Sequence, residues 1–427
     1  MVRPARHGLP AVTAALAVAV GVLSPPAAAA AAVPEPVLGP RTTLFTPPPK
    51  PEALAHIADV AAGGNAALAA KLTDMVTTPQ AYWLAGDTPA NVEHRVRTVT
   101  TAAAALEQVP VLVAYNVPFR DCAQFSAGGA TDTRQYLEWI SAFAKGIENR
   151  KAVVILEPDG LGIIPFHRNI QGRPEWCQPP GADPATAADE RYRQLNRAVD
   201  VLGELPGTKV YLDGTHIRWI GAGDMAKRLA AAGVDRADGF FLNVSNFQTD
   251  AHNARYALWV SSCLAFAANP DDGGRRLGHY EWCAGQYHPA KVDDESTWYL
   301  TDEWYAGNLG RAKPTTRYVS DTSRNAHGPW AAPDGHPPGD PQIWCNPPGR
   351  GLGVEPTART HSALLDAYLW IKIPGDSDGE CNRWNPPGAV DPVRGKHDPR
   401  AGAWFPDLAV ELVTFAGPSK PPDEAQQ

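Results

Sequence analysis

Val153-Val-Ile-Leu-Glu-Pro-Asp159 and Lys209-Val-Tyr-Leu-Asp213 share one pattern, an apolar and β-branched run that ends in an aspartate. In a parallel β/α barrel the working groups sit where strands finish, so an acid at that point reads as chemistry before it reads as stability. The pattern recurs along the chain. Pro110-Val-Leu-Val-Ala-Tyr-Asn-Val117 runs into Arg120-Asp121, Arg317-Tyr-Val-Ser320 into Asp321, and Ala367-Tyr-Leu-Trp-Ile-Lys-Ile373 through Gly375-Asp-Ser to Asp378. Strand ends that each deliver a carboxylate predict a single acidic pocket.

Between these runs, 133–149, 187–204 and 224–232 place apolar residues at helical spacing. Strands alternating with helices imply parallel pairing through crossover helices. The expected fold is α/β, a distorted (β/α) barrel of about seven parallel strands in a single domain, with an active-site cleft at the strand C-terminal ends. The seventh strand comes from a weaker run near Ala81-Tyr-Trp83. A doubly wound open sheet would alternate in the same way, but no G-x-G-x-x-G follows the first strand.

Arg3, Arg6 and His7 precede an apolar stretch from Ala11 to Leu23, and the alanine run Ala27 to Ala32 offers small-residue cleavage sites, the layout of a secretory signal peptide. The expected organisation is a signal over 1–32, an N-terminal extension over 33–45, the catalytic barrel over 46–418 and a polar tail over 419–427. Secretion to the extracellular space follows, with no membrane association once the signal is removed. Six cysteines suit an oxidising compartment. Sequence alone allows about 15 pairings; loop-closing pairs Cys122 with Cys177, Cys263 with Cys283, and Cys345 with Cys381 are expected. Prolines and glycines cluster between apolar runs, as in Asn346-Pro-Pro-Gly-Arg-Gly-Leu-Gly353, and mark long, stiff loops.

The net charge of −8 disfavours nucleic acid and anionic membranes as partners. The 13 tryptophans include Trp83, Trp219, Trp330 and Trp344 in or beside loops that follow strand-like runs. Indole faces in an acidic cleft suit sugar rings, whose C–H faces are apolar while their hydroxyls seek carboxylates. Each tryptophan taken singly is more often packing; four beside one pocket shift that balance. Acids and tryptophans together point to glycoside hydrolysis, in which one carboxylic acid protonates the leaving oxygen while a second group assists attack.

The blocks Tyr115-Asn-Val-Pro-Phe-Arg-Asp-Cys122, Leu156-Glu-Pro-Asp159, Tyr211-Leu-Asp-Gly-Thr-His216, Leu242-Asn-Val-Ser-Asn-Phe247, Asp321-Thr-Ser-Arg-Asn325, Trp344-Cys-Asn-Pro-Pro-Gly-Arg350 and Trp370-Ile-Lys-Ile-Pro-Gly-Asp-Ser-Asp-Gly379 resemble, in order, the signature of glycoside hydrolase family 6. The resemblance implies an inverting β-1,4-glucanase acting on β-1,4-glucan polysaccharide. No cofactor is expected, and no metal, since neither a set of several histidines nor a compact ligand motif is evident; a monomer is expected. Asp159 matches the family's general acid, and Asp121 the neighbour that keeps that acid protonated. Asp378 matches the carboxylate proposed as base, with a water chain ordered by Ser126 and Tyr115 as the alternative proton carrier. Asp213, His216 and Trp219 match substrate-binding positions, and Trp83, Trp344, Lys372, Asn243 and Asn246 are expected sugar contacts.

Two departures from the family pattern stand out. Asp376 replaces a glutamate expected to bind sugar, and Gly214-Thr215 replaces an alanine-glycine pair. Compact stretches from Asp121 to Asp159 and from Cys345 to Cys381 favour an open cleft and endo action, whereas a long 163–189 segment favours the exo-acting cellobiohydrolase alternative. A non-catalytic polysaccharide-binding barrel would be favoured by loss of an acid from the E-P-D or R-D-C block, and both acids are present. Asp376-Ser-Asp-Gly379 begins like a calcium loop, but Pro387 stands where that loop needs glutamate. No aromatic-rich module on a low-complexity linker is visible, so weak adsorption to crystalline cellulose is expected.

Overall fold

The computed structural model describes Met1, Val2, Gly8, 38–270 and 273–421. The chain divides into two compact units, Met1–Glu35 and Pro36–Gln427, and every helix and strand described below belongs to the second. The expected signal peptide and most of the polar tail lie outside the described residues.

Seven strands form one parallel sheet in the order of the chain. They are β1 Tyr82–Ala85, β2 Val111–Tyr115, β3 Ala152–Leu156, β4 Thr208–Asp213, β5 Gly239–Leu242, β6 Arg317–Asp321 and β7 Leu365–Leu369. Every residue of β2 and β3 is buried, which is why they read as continuous apolar runs rather than as alternating ones. Alternate residues serve two separate cores. Val111, Val113, Val153, Ile155, Tyr211, Phe241, Val319 and Ala367 pack with one another inside the curled sheet. Their neighbours Leu112, Ala114, Val154, Leu156, Val210, Leu212 and Phe240 pack outward with the helices. The first and last strands approach through Ala81 N–H donating to Trp370 O at 2.9 Å and Trp83 Nε1 donating to Ile371 O at 2.7 Å.

Three α-helices, Thr133–Ile147, Ala187–Gly203 and Ala222–Ala231, lie where the periodicity placed them, and six more are present among the described residues. α1 Pro51–Ala62 and α2 Ala66–Thr77 precede the sheet; α3 Pro89–Ala105, α4 Thr133–Ile147, α5 Ala187–Gly203, α6 Ala222–Ala231, α7 Asp250–Ala267 and α8 Tyr299–Asn308 fall between strands, and α9 Pro406–Thr414 follows β7. Helix α4 starts at Asp132, whose carboxylate accepts from Gln135 N–H at 2.8 Å, and buries Tyr136, Trp139, Ile140, Phe143 and Ile147 on one face. It packs closely on α3 at Gly146, where an added Cβ would lie 2.5 Å from Val96 Cβ. The 253–307 stretch, unassigned from sequence, is the β5–β6 crossover: most of α7, then the Cys263–Cys283 bridge, then α8. The cysteines pair as expected, with Cα–Cα distances of 5.8, 5.7 and 6.0 Å for Cys122–Cys177, Cys263–Cys283 and Cys345–Cys381. Residues 38–45, read as an extension, bury Leu38, Leu44 and Phe45, and Phe45 N–H donates to Val109 O at 2.9 Å.

Candidate active site

At the C-terminal ends of the strands the backbone leaves its usual conformations. Phe119, Asp121, Cys122 and Ala123 after β2, Glu157 and Asp159 after β3, and Asn243 and Ser245 after β5 all have φ between 47° and 70°. Side chains other than glycine reach that region at a cost and are held there by surrounding contacts. Glu157 shows one such contact. Its buried carboxylate accepts from Asn116 N–H at 2.9 Å and Val117 N–H at 3.0 Å, tying the end of β3 to the end of β2. Cys122–Cys177 adds a covalent tie behind Asp121.

These turns surround a cleft of about 1420 Å³ whose wall includes Asp121, Asp159 and Asp378. Asp159 is the group poised to give up a proton. Burial, then the charges of Asp213 and Asp121, push its carboxyl well above the usual range, against the opposing influence of Lys372 and a hydrogen bond from Tyr115. Asp121 is itself raised to about 6, by burial, although Ser126 N–H donates to it at 2.6 Å. Asp378 goes the other way. Burial would raise it, but Arg324 at 3.0 Å and Lys372 at 3.1 Å overcome that and hold it below its ordinary value. Asn346 N–H donates to the same carboxylate at 2.9 Å. The cleft therefore holds a carboxylic acid and a fixed carboxylate, the asymmetry that acid-assisted bond cleavage requires.

Of the expected sugar contacts, Trp83, Tyr115, Ser126, His216, Trp219, Asn246, Trp344, Lys372 and Asp376 line this cleft. Trp83 meets Tyr115 edge to face at 5.4 Å, and Trp344 lies 6.1 Å from Phe125. His216 is pushed down to about 3 by burial and the nearby Arg218, so it is a neutral imidazole. Asp213 and Asn243, also expected as sugar contacts, are not in the cleft wall. Asp213 is buried and accepts from Leu161, Gly162 and Thr215 N–H at 3.1, 3.0 and 2.9 Å; it acts on Asp159 through its charge. Asn243 is fully buried, and its amide donates to Gln248 O at 3.2 Å and Asp321 O at 2.8 Å.

The Gly214-Thr215 departure has a steric account. A Cβ at Gly214 would lie 2.6 Å from a Phe240 ring carbon and 2.8 Å from Phe241 O, so an alanine does not fit. Thr215 takes the left-handed φ of 55° that a glycine would adopt freely.

Arg324 is missed by a reading that follows carboxylates. Its guanidinium is fully buried, donates to Asp378 and to Ser245 O at 2.6 Å, and lies 4.5 Å over the Phe247 ring. The only hint in the sequence is an arginine just past a strand end. Lys50, which also lines the cleft, is invisible to local pattern because its partner is Asp376. Among the described residues, Cys381, Asp391 and Asp398 cluster as candidate metal ligands. Cys381 is disulfide-bonded and Asp391 is paired with Arg383 at 2.8 Å, which makes this a poor donor set.

The site can be compared with known proteins. The chain is 30% identical over 348 residues to endoglucanase A of Cellulomonas fimi, covering 81% of this chain and 56% of that protein. It is 34% identical over 352 residues to endoglucanase 1 of Streptomyces halstedii, covering 82% of this chain and 83% of that one. In three dimensions it is similar to the endoglucanase Cel6 of Mycobacterium tuberculosis in complex with methyl-cellobiosyl-4-deoxy-4-thio-β-D-cellobioside, with a TM-score of 0.61 at 33% identity over 88% of this chain and 97% of that one. The family model described as glycosyl hydrolases family 6 matches residues 40–416. An acid and a fixed carboxylate at the ends of a curled parallel sheet are thus the site of a chain that belongs to glycosyl hydrolase family 6.

Proposed function

We propose that this chain is a secreted cellulase that hydrolyses internal β-1,4-glucosidic bonds with inversion at the anomeric carbon. The observation that carries the reading is the state of Asp159, a cleft carboxyl kept protonated by burial and by Asp213 and Asp121. A glucan chain lies against Trp83, Trp219 and Trp344, with the scissile oxygen at Asp159. Asp159 donates its proton to the departing oxygen as the glycosidic bond lengthens. Positive charge then grows on the anomeric carbon, and the ionised Asp378 stabilises it and receives, directly or through water, the proton of the attacking water. Arg324 and Lys372 keep Asp378 ionised, so it is a carboxylate throughout the useful pH range.

Two considerations support endo action. The relatives from Cellulomonas fimi and Streptomyces halstedii, 30% and 34% identical, carry endoglucanase names. Much of the 121–159 stretch is used by α4 and β3, which leaves little chain to roof the cleft. Three disulfides fit an extracellular, oxidising setting.

Product analysis on carboxymethylcellulose tests the mode of attack. Endo cleavage lowers viscosity steeply for each reducing end released. A slow viscosity loss per bond cut favours action from chain ends, and no release at all favours a binding barrel without turnover.

A further inference from the structure

Asp376 stands where the family signature carries a glutamate, and the missing methylene coincides with a neighbour far away in sequence. Lys50 Nζ lies 2.5 Å from Asp376 Oδ2 and 2.7 Å from Gly402 O. Both residues line the cleft, but unequally: the Lys50 side chain is 35% exposed and that of Asp376 only 5%. Asp376 Oδ1 is buried and has no hydrogen-bond partner. The carboxylate is thus withdrawn into the wall, and the ammonium is the accessible member of the pair. An ammonium has three donors and no acceptor. Two of them meet acceptors in Asp376 and Gly402, which leaves the third for the cleft. The backbone that carries it is held as well, because Lys50 O accepts from Ala53 and Leu54 N–H, each at 3.1 Å, at the start of α1.

The geometry points to Lys50 as a substrate-binding residue, donating to a hydroxyl of a bound β-1,4-linked glucose unit. Asp376 is then the positioning residue that holds it. This reverses the carboxylate contact expected from the sequence: the cleft presents a cation here. The proposal rests on the β-glucanase reading.

The test is kcat and KM on cellotetraose, a neutral substrate, for the wild type, Lys50→Met, Lys50→Arg, Asp376→Asn and the double variant Lys50→Met with Asp376→Asn. Losing a charge-assisted hydrogen bond predicts a rise in KM of about 10-fold for Lys50→Met, with kcat moved far less. Lys50→Arg should recover part of the loss. Asp376→Asn should also raise KM, yet the double variant should be no worse than Lys50→Met alone, because the anchor then has nothing to hold. An unchanged KM in Lys50→Met overturns the assignment. So does an Asp376→Asn penalty that persists in full in the Lys50→Met background, since Asp376 would then touch the sugar itself. If Lys50→Met fails to fold, as judged by circular dichroism, Lys50→Gln carries the same comparison. Absence of cellotetraose cleavage by the wild type would instead sink the underlying reading, an outcome distinct from any difference among variants.

Discussion

A carboxylic acid donates a proton near neutral pH only if its surroundings resist ionisation. At Asp159 burial contributes most, and Asp213 contributes more than Asp121 although it lies outside the cleft wall. Removing the Asp213 charge should therefore let Asp159 ionise more easily. Asp213→Asn is expected to move the alkaline limb of the kcat/KM profile to lower pH, and by more than Asp121→Asn does; a limb that stays in place would deny Asp213 this part. The donor itself is tested by leaving-group dependence. Asp159→Ala should lose about 10²–10⁴-fold on polysaccharide. A dinitrophenyl cellobioside, whose leaving group needs no proton, should escape most of that loss. Equal losses on both substrates in a folded variant would make Asp159 a binding residue and send the search for the donor to Asp121, a cleft carboxyl also raised by burial.

At the scale of elements, the ends of β5, β6 and β7 are joined through buried charge. Arg324 follows β6, Asp378 follows β7, and the Arg324 guanidinium also holds Ser245 O past β5. Removing one member of such a pair typically costs about 3–5 kcal/mol when the remaining charge is left uncompensated; here Lys372 stays 3.1 Å from Asp378, so the loss falls towards the lower end of that range. Arg324→Met is expected to lower the unfolding free energy by about that much, measured by denaturant titration, and to raise the pKa of Asp378; a variant as stable as the wild type would contradict the pairing. This layer was the least legible in the sequence. Strands buried on both faces announce themselves as apolar runs, and the carboxylates at or beyond the ends of β2, β3, β4, β6 and β7 are easy to see. Helices α4, α5 and α6 each begin and end within two residues of the expected limits because each has one apolar face. Helix α7 was missed because Tyr256, Ala257, Trp259, Val260, Ser261, Ser262 and Cys263 are all buried, so no polar face marks a period. The pairs Arg324–Asp378 and Lys50–Asp376 join positions 54 and 326 residues apart, and no local spacing encodes them. Asp213 ends β4 and Asn243 directly follows β5, but whether a side chain there faces the cleft or bonds the next turn depends on backbone geometry that the sequence pattern does not carry.

For the molecule as a whole, the same carboxyls couple folding to pH. Burial raises Glu157 to about 7 and Asp213 and Asp121 to about 6, above the values near 4 of an unfolded chain. Their contribution to stability is therefore complete below about pH 4 and is lost as pH rises through 6 and 7. Asp378 has the opposite sign: its folded value is depressed, so its contribution is present above about pH 4 and is lost as pH falls through that lower value. Calorimetric Tm should thus be higher at pH 5 than at pH 8 and should fall again in strong acid. Glu157→Gln should flatten the upper slope; a Tm that rises from pH 5 to pH 8 would contradict this balance. The central claim is that acid and fixed carboxylate act together across one cleft to let water attack the anomeric carbon directly. Proton NMR of the first sugar released from a β-1,4-glucan tests it most directly. The α-anomer should appear first and mutarotate only later, whereas immediate appearance of the β-anomer would contradict the account.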